Sequence, residues 1–176
     1  EVIAHEIVHQ YWYQLVATNQ FEEPWLDEGF TTYTTAKVLE RYHPVHPILP
    51  QRLGVELSGA TQNMLSFQRS GIYDSLTSKS WEFIAPRQYF ANVYAKTYLL
   101  LTSIERHIGA LRTNVMLQTY YEKYRFSHPT TKDFLKIAQD FVPDSILAPL
   151  TKWLYGLPPV CDFAVGNFAS RKVKDK

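Results

Sequence analysis

Cysteine is almost missing from this sequence, since its 176 residues include only Cys161. A single cysteine excludes an internal disulfide framework, so a hydrophobic core must hold the fold together. Cys161 follows two prolines and has no nucleophile partner near it in the sequence, and we interpret it as a small apolar residue. Oxidising and reducing compartments are both compatible with this count.

A long apolar run is also missing, and so is a large net charge of either sign. No uninterrupted hydrophobic stretch approaches the ~18 residues of a membrane span, so no membrane span is predicted in this chain. The 18 Lys and Arg residues nearly balance the 17 Asp and Glu residues, which gives a formal net charge of +1. That balance argues against a nucleic-acid partner, because such proteins usually carry a basic stripe.

Alternation of apolar and polar residues over several positions is absent too, and the sequence predicts a mainly α-helical fold. Val2–Val16 is almost free of helix breakers and apolar on more than one side, which predicts a buried helix. Pro24 suits the first turn of a second helix, which is expected to end near Arg41. Further helices are predicted at about 51–67, 89–108, 110–124, 130–141 and 144–155. We therefore expect one helical domain at 1–156 and an irregular segment at 157–176.

The most informative motif lies in the first predicted helix, where His5-Glu6-Ile7-Val8-His9 forms an H-E-x-x-H pattern. Residues four apart share one helical face with about 5–6 Å between their Cβ atoms, so both imidazoles can bind one zinc ion. Glu6 is turned by about 100° from His5 and is expected to take a proton from a zinc-bound water. The alternative is a buried helix that contains two histidines by chance. We disfavour it, because unpartnered imidazoles on an apolar helix would be costly.

Glu28 is the candidate for the third protein ligand that a catalytic zinc requires. It lies near the start of the second predicted helix, where the macrodipole favours an anionic side chain. Asp27 has suitable chemistry as well, so the residue types alone leave it open as an alternative ligand. His43 and His46 have H-x-x-H spacing on a stretch broken by prolines, and we interpret them as a surface loop and not as a second metal site. One zinc ion is therefore predicted.

Three stretches resemble the gluzincin zinc aminopeptidases, the alanyl-aminopeptidase and leukotriene-hydrolase family. They are VIAHEIVHQYWYQL at 2–15, EPWLDEGFTTY at 23–33 and YFANVYAK at 89–96, with further similarity in YRFSHPTTKDFL at 124–135. The resemblance implies the helical lobe of a thermolysin-like zinc metallopeptidase catalytic domain. It also implies release of N-terminal residues from peptide substrates. Asp27 is one residue out of register with the family pattern, which favours Glu28 as the ligand and Asp27 as a neighbour that hydrogen-bonds nearby.

The resemblance further implies roles for two tyrosines. Tyr94, in Val93-Tyr94-Ala95-Lys96, matches the family's tyrosine that donates a hydrogen bond to the developing oxyanion. Tyr89 matches a second active-site tyrosine, which we interpret as a substrate-binding residue. Because the chain has 12 tyrosines, the alternative for Tyr94 is a core aromatic residue.

One element of the family pattern is not found in this chain, the upstream G-x-M-E-N motif whose glutamate binds the substrate's α-amine. The chain starts at Glu1 without a methionine, and we expect it to be a piece of a longer polypeptide whose N-terminal part completes the cleft. Two alternative functions are a metal-stabilised binding module without turnover and an epoxide hydrolase of the leukotriene-hydrolase type. The presence of Glu6 and Tyr94 argues against the first, and no residue directly supports the second.

Overall fold

The structure, a computed structural model, describes residues 2–42 and 74–156. The α-helices of these two ranges are α1 Val2–Val8, α2 Phe30–Tyr42, α3 Pro86–Tyr89, α4 Thr97–Ile108, α5 Ala110–Tyr124, α6 Thr131–Phe141 and α7 Asp144–Tyr155. Two π-helical segments, Trp25–Gly29 and Phe90–Lys96, run directly into α2 and α4, and a short 3₁₀ turn covers Ser80–Glu82.

The predicted mainly α-helical fold is confirmed, and α5 and α7 have their predicted bounds. The helix predicted to end before Gly109 does so, and this glycine has a φ of 85°, a conformation that residues with a side chain rarely adopt. The described helices include none that is long and apolar enough to cross a bilayer. The predicted helix at 51–67, the two histidines at 43 and 46, Cys161 and the segment 157–176 lie outside the described residues, and the predicted division after residue 156 stays a prediction.

The first helix is shorter and more exposed than its sequence indicates. α1 ends at Val8, and Ile3 and Ile7 are exposed to solvent, so the prediction of a buried helix as far as Val16 is wrong. Beyond Val8 the backbone continues in irregular turns, and Tyr13 has a φ of 96°. This left-handed conformation is uncommon for a residue with a large side chain, and it turns the chain before the first π-helical segment begins.

The core is built on aromatic rings that pack edge-to-face or tilted between the helices. The ring centroid of Phe30, which is fully buried, lies 5.3 Å from that of Trp12, 5.2 Å from that of Phe134 and 5.7 Å from that of Tyr120. Aromatic pairs of this kind stabilise by about 0.5–1.5 kcal/mol beyond their buried area. Because Trp12 follows α1 and Phe30 begins α2, this cluster fixes the two segments that contain the predicted metal ligands against α5 and α6.

The tryptophans divide between this core and the surface. Trp12, Trp25 and Trp153 are buried, as the sequence suggests for large aromatic residues, and the indole N–H of Trp25 donates to Thr131 Oγ1 at 2.9 Å. Trp81 is 61% exposed and lies beside the Lys79 ammonium at 5.1 Å, so it does not belong to the core.

α6 begins with a capping box, which the spacing of Thr130 and Asp133 in the sequence resembles, with Asp in place of the usual Glu. The Thr130 backbone N–H and hydroxyl donate to Asp133 Oδ2 at 2.9 and 2.8 Å. The Thr130 N–H is the main cause that holds the pKa of Asp133 below its ordinary value, while partial burial opposes it. The carboxylate is the accepting form, so this contribution to stability is present at neutral pH and is lost as the pH falls through the lowered pKa.

Thr130→Ala is expected to lower the free energy of unfolding by about 1 kcal/mol, because the capping box of α6 loses the Thr130 hydroxyl. Urea denaturation at neutral pH measures the change. Thr119→Ala is the control, since Thr119 lies inside α5 and bonds only to the Val115 carbonyl of its own helix, at 2.8 Å. Its expected change is below about 0.5 kcal/mol, and an equal loss in both variants would contradict the assignment.

Candidate metal centre

The end of α1 keeps the two histidines on one side of the chain. His9 lies one residue beyond α1, yet its N–H still donates to the His5 carbonyl at 3.2 Å, as in an α-helix. The two imidazole centroids are 4.7 Å apart with their planes at 88°. The H-E-x-x-H spacing therefore has the geometric effect that the sequence predicts, although the helix ends within the motif.

Glu28 faces both imidazoles from the first π-helical segment. Its Oε2 lies 3.1 Å from His5 Nε2 and 3.3 Å from His9 Nε2. All three side chains are half-buried, and one ligand atom from each lies within 4.8 Å of the others. Within residues 2–42 and 74–156, no other group of three or more His, Cys, Asp or Glu side chains meets this spacing. The structure thus brings the three predicted ligands together.

Asp27 lies on the other side of the His9 ring. Its Oδ1 is 2.9 Å from His9 Nδ1, although it receives no hydrogen bond of good geometry. The two groups are close enough for an ion pair, and the role of Asp27 as a hydrogen-bonding neighbour stays a prediction. The Thr31 hydroxyl and the Trp12 carbonyl lie 3.2 and 3.3 Å from the same nitrogen. Burial raises the pKa of Asp27 to about 7, and the adjacent His9 opposes that shift.

A cavity of about 540 Å³ opens beside these side chains. Glu6 lines this cavity together with His5, His9 and Glu28, and Tyr94 faces them from the second π-helical segment. Its volume falls in the range of small-molecule and peptide-residue pockets, about 300–1,000 Å³. Glu6 is exposed and does not belong to the core, so its carboxylate is free to meet a substrate.

Tyr94 is held in the cavity by its ring contacts. It stacks on His5, with centroids 6.0 Å apart, and on Phe90, with centroids 4.6 Å apart. Burial, and next its hydrogen bond to Glu28, raises the pKa of the Tyr94 phenol. The phenol therefore stays protonated at neutral pH and can donate a hydrogen bond.

Tyr89 lies next to Tyr94, and it is the Tyr94 ring that contacts His5. Its ring packs against Tyr94 at 6.0 Å and against Phe83 at 5.3 Å between centroids. Among the described lining residues of the cavity, Tyr94 is present and Tyr89 is not. The structure thus places Tyr89 next to the cavity wall, and its role with substrate stays a prediction.

The two π-helical segments are features that the sequence analysis missed. The first contains Glu28, the second contains Tyr94, and the two pack against each other. The first segment also lies very close to the start of α4, because a Cβ added to Gly29 would lie 2.2 Å from Thr97 Cγ2. π-Helical turns are rare and occur often at functional sites. Gly29 was the one local sign of this approach in the sequence.

The family follows from the sequence as a whole. Residues 1–153 match the Peptidase family M1 domain. The chain belongs to peptidase family M1. This confirms the predicted resemblance to zinc aminopeptidases.

Fungal proteins are among the relatives of this M1 chain. It is 30% identical over 175 residues to a leucine aminopeptidase 2 of Ajellomyces capsulatus, an alignment that covers 93% of this chain and 27% of the relative. It is 25% identical over 173 residues to a leucine aminopeptidase 2 of Neosartorya fischeri, with 93% of this chain and 28% of the relative covered. The M1 chain therefore spans less than a third of the length of these relatives.

Solved structures show the same fold. An M1 zinc metallopeptidase mutant from Deinococcus radiodurans, bound to a Tyr-Ser-Ala substrate, matches with a TM-score of 0.70 and 19% identity over 89% of this chain and 33% of that one. A structure of the M1 zinc metallopeptidase from the same organism matches with a TM-score of 0.68 and 21% identity, covering 90% and 34% of the two chains. The described helices correspond to the helical domain of such enzymes.

Proposed function

We propose that this M1 chain is the metal-binding helical part of a zinc peptidase that releases N-terminal residues from peptides. The observation that carries the proposal is the meeting of His5, His9 and Glu28 at one point, beside a cavity that also contains Glu6 and Tyr94. The names of the fungal relatives, which are leucine aminopeptidases, support the exopeptidase class.

The side chains fit a zinc ion by their chemistry. Two imidazole nitrogens and one carboxylate oxygen form a common ligand set of catalytic zinc, which leaves one position for water or substrate. Asp27 beside His9 Nδ1 favours the proton on that nitrogen and leaves Nε2, which faces Glu28, available to a metal. His5, His9 and Glu28 would hold one ion. When bound, zinc acts as a Lewis acid that polarises a peptide carbonyl and lowers the pKa of water.

The remaining side chains supply proton transfer and charge stabilisation. Glu6 takes a proton from the attacking water and later delivers it to the leaving amine, as a general base and then a general acid. The Tyr94 phenol donates a hydrogen bond to the oxyanion that develops from the peptide carbonyl. Tyr89 supports the substrate side of the cleft through its ring contact with Tyr94.

The rest of the polypeptide is proposed to complete the cleft. The chain spans 27% of one fungal relative, and apolar side chains of α1, among them Ile3 and Ile7, are exposed next to the metal centre. Side chains of this kind favour burial against another surface. The function is therefore that of the full-length protein, and its experiments use that protein.

An assay of the full-length protein on short amino-acyl substrates tests the proposal. Hydrolysis is expected from the free N-terminus, with loss after chelation and recovery after addition of zinc. The same peptide with an acetylated N-terminus is the matched control and should be cleaved slowly or not at all. If the zinc-loaded protein binds peptides without cleaving them, the proposed peptidase function is wrong and the protein is a peptide-binding module.

His9→Ala is expected to reduce bound zinc from about one ion per chain to well below that stoichiometry after dialysis, because a three-ligand site loses one of its ligands. Metal analysis of the purified full-length protein measures this. His128→Ala is the control, since His128 is exposed and bonds to the Ala17 carbonyl at 2.7 Å, away from the cluster. Zinc retained at full stoichiometry in His9→Ala would mean that the ligands lie elsewhere.

A further inference from the structure

Asp74 is held by three side chains that recur every fourth residue along α3 and the second π-helical segment. Gln88 Nε2 donates to Asp74 Oδ2 at 2.6 Å, and Asn92 Nδ2 donates to the same oxygen at 3.3 Å. Asn92 Oδ1 accepts from the Asp74 backbone N–H at 3.0 Å, and Lys96 Nζ donates to the Asp74 carbonyl at 2.6 Å. We call these four residues the Asp74 clamp. It engages both backbone groups and the side chain of one residue.

Lys96 is the member of the clamp that packing alone does not explain. Its side chain is 0% exposed, and a buried ammonium is costly unless acceptors surround it. Besides the Asp74 carbonyl, its Nζ lies 3.4 Å from the carbonyl of Gly156 at the end of α7. An apolar side chain of similar length would fill the same volume without that cost. A charge at this position therefore indicates that the contacts themselves matter.

The clamp also joins the end of α7 to the segment that follows Asp74. Ser75 Oγ and the Leu76 backbone N–H donate to the Leu154 carbonyl at 2.9 and 3.0 Å. Leu76 is fully buried beneath this junction. Three separate parts of the chain thus meet at the Lys96 ammonium.

The opposite side of the same helical stretch faces the metal centre. Residues two apart on a helix point to nearly opposite sides, so Tyr94 points away from the direction of Lys96 and Asn92. There its ring stacks on His5 and Phe90. A π-helical turn is a rare conformation that needs support from its surroundings. The contacts on the Asn92 and Lys96 side of the segment therefore affect where the Tyr94 ring lies on the other side.

We propose that the Asp74 clamp sets the position of Tyr94 at the metal centre and that Lys96 is its main positioning residue. The ammonium holds the Asp74 and Gly156 carbonyls against the second π-helical segment, and this fixes the phenol opposite His5. The proposal rests on the proposed function, in which the phenol donates to the oxyanion. A displacement of about 1 Å in a catalytic group costs on the order of 100-fold in rate.

The test is a double-mutant cycle in the full-length protein with Lys96→Met and Tyr94→Phe. Lys96→Met alone is expected to lower kcat by about 10- to 100-fold, with KM within about twofold and zinc content unchanged. In the Tyr94→Phe background the same change should lower kcat by less than about twofold, because the hydroxyl that the clamp positions is already absent. Lys132→Met, at an exposed lysine on α6, is the control and should leave kcat unchanged.

An equal fold-loss from Lys96→Met in both backgrounds would overturn the proposal, since Lys96 would then support the fold in general. A raised KM with unchanged kcat would overturn it as well. Should Lys96→Met fail to fold, Gln88→Met removes one contact to Asp74, together with the bond that Gln88 Oε1 accepts from the exposed Ile84 N–H. The cycle is then expected to show the same pattern at about 3- to 10-fold.

Absence of peptidase activity in the unmutated protein would refute the proposed function. The effect of the Asp74 clamp on the position of Tyr94 is then tested by a measurement that does not depend on activity. With 3-fluorotyrosine in place of Tyr94, the ¹⁹F NMR signal reports the surroundings of the ring. A shifted or broadened signal in Lys96→Met, but not in Lys132→Met, would support the clamp. An unchanged signal would overturn it.

Discussion

Glu6→Gln in the full-length protein is expected to lower kcat by about 100- to 10,000-fold while zinc stays bound. Glutamine has nearly the shape of glutamate and cannot accept a proton at neutral pH, so proton transfer is lost and the three ligands remain. Because Glu6 is exposed and lies outside the core, the free energy of unfolding should change by less than about 0.5 kcal/mol. Steady-state kinetics, metal analysis and urea denaturation of one preparation measure all three quantities.

Glu22→Gln is the matched control for this variant. Glu22 is an exposed glutamate just before the first π-helical segment, and it does not line the described part of the cavity. Its removal should leave kcat and zinc content unchanged. Near-normal turnover by Glu6→Gln would refute Glu6 as the general base, and loss of zinc from that variant would instead place Glu6 among the ligands.

Gly29→Ala is expected to destabilise the protein by about 3 kcal/mol or more, at the upper end of what overpacking costs. The added Cβ would lie 2.2 Å from Thr97 Cγ2 and 2.4 Å from Thr97 Cβ. Thr97 is fully buried, and its β-branched side chain has few rotamers inside a helix, so it has no space to move aside. Urea denaturation measures the loss, and failure to express in soluble form would agree with it.

Thr97→Gly tests whether this contact is the cause. It removes both atoms that the new methyl group would meet, so the double variant should recover more than half of the stability lost in Gly29→Ala. The single Thr97→Gly variant is the reference, because glycine inside a helix costs about 1 kcal/mol by itself. Losses that simply add in the double variant would show that Gly29 is required for another reason.

Local patterns predicted those parts of the fold that local interactions determine. The capping box at Thr130 and Asp133 and the stop at Gly109 depend on neighbouring residues, so α4, α5, α6 and α7 begin or end within a residue of where their sequences indicate. The approach of His5 and His9 has the same origin, since four-residue spacing needs only one helical turn. That Glu28 would face them followed from chemistry and from the family resemblance.

The features that the sequence did not predict are those that distant parts of the chain decide. Tyr13 turns the chain after α1 without a glycine or proline at that position, so no local signal marked the end of the helix. The Asp74 clamp joins residues up to 22 positions apart. In the sequence, Lys96 is only a lysine within an apolar stretch, and its burial depends on Asp74 and Gly156.

The close packing of the two π-helical segments limits where residues can be inserted into this chain or deleted from it. A π-helical turn contains one residue more than the α-helical turn it replaces, so deletion of a single residue from 90–93 would let the helix rewind and rotate Tyr94 by about 100° relative to α3. Insertions and deletions should therefore be eliminated from both π-helical segments, because each segment holds a side chain of the metal centre in its register.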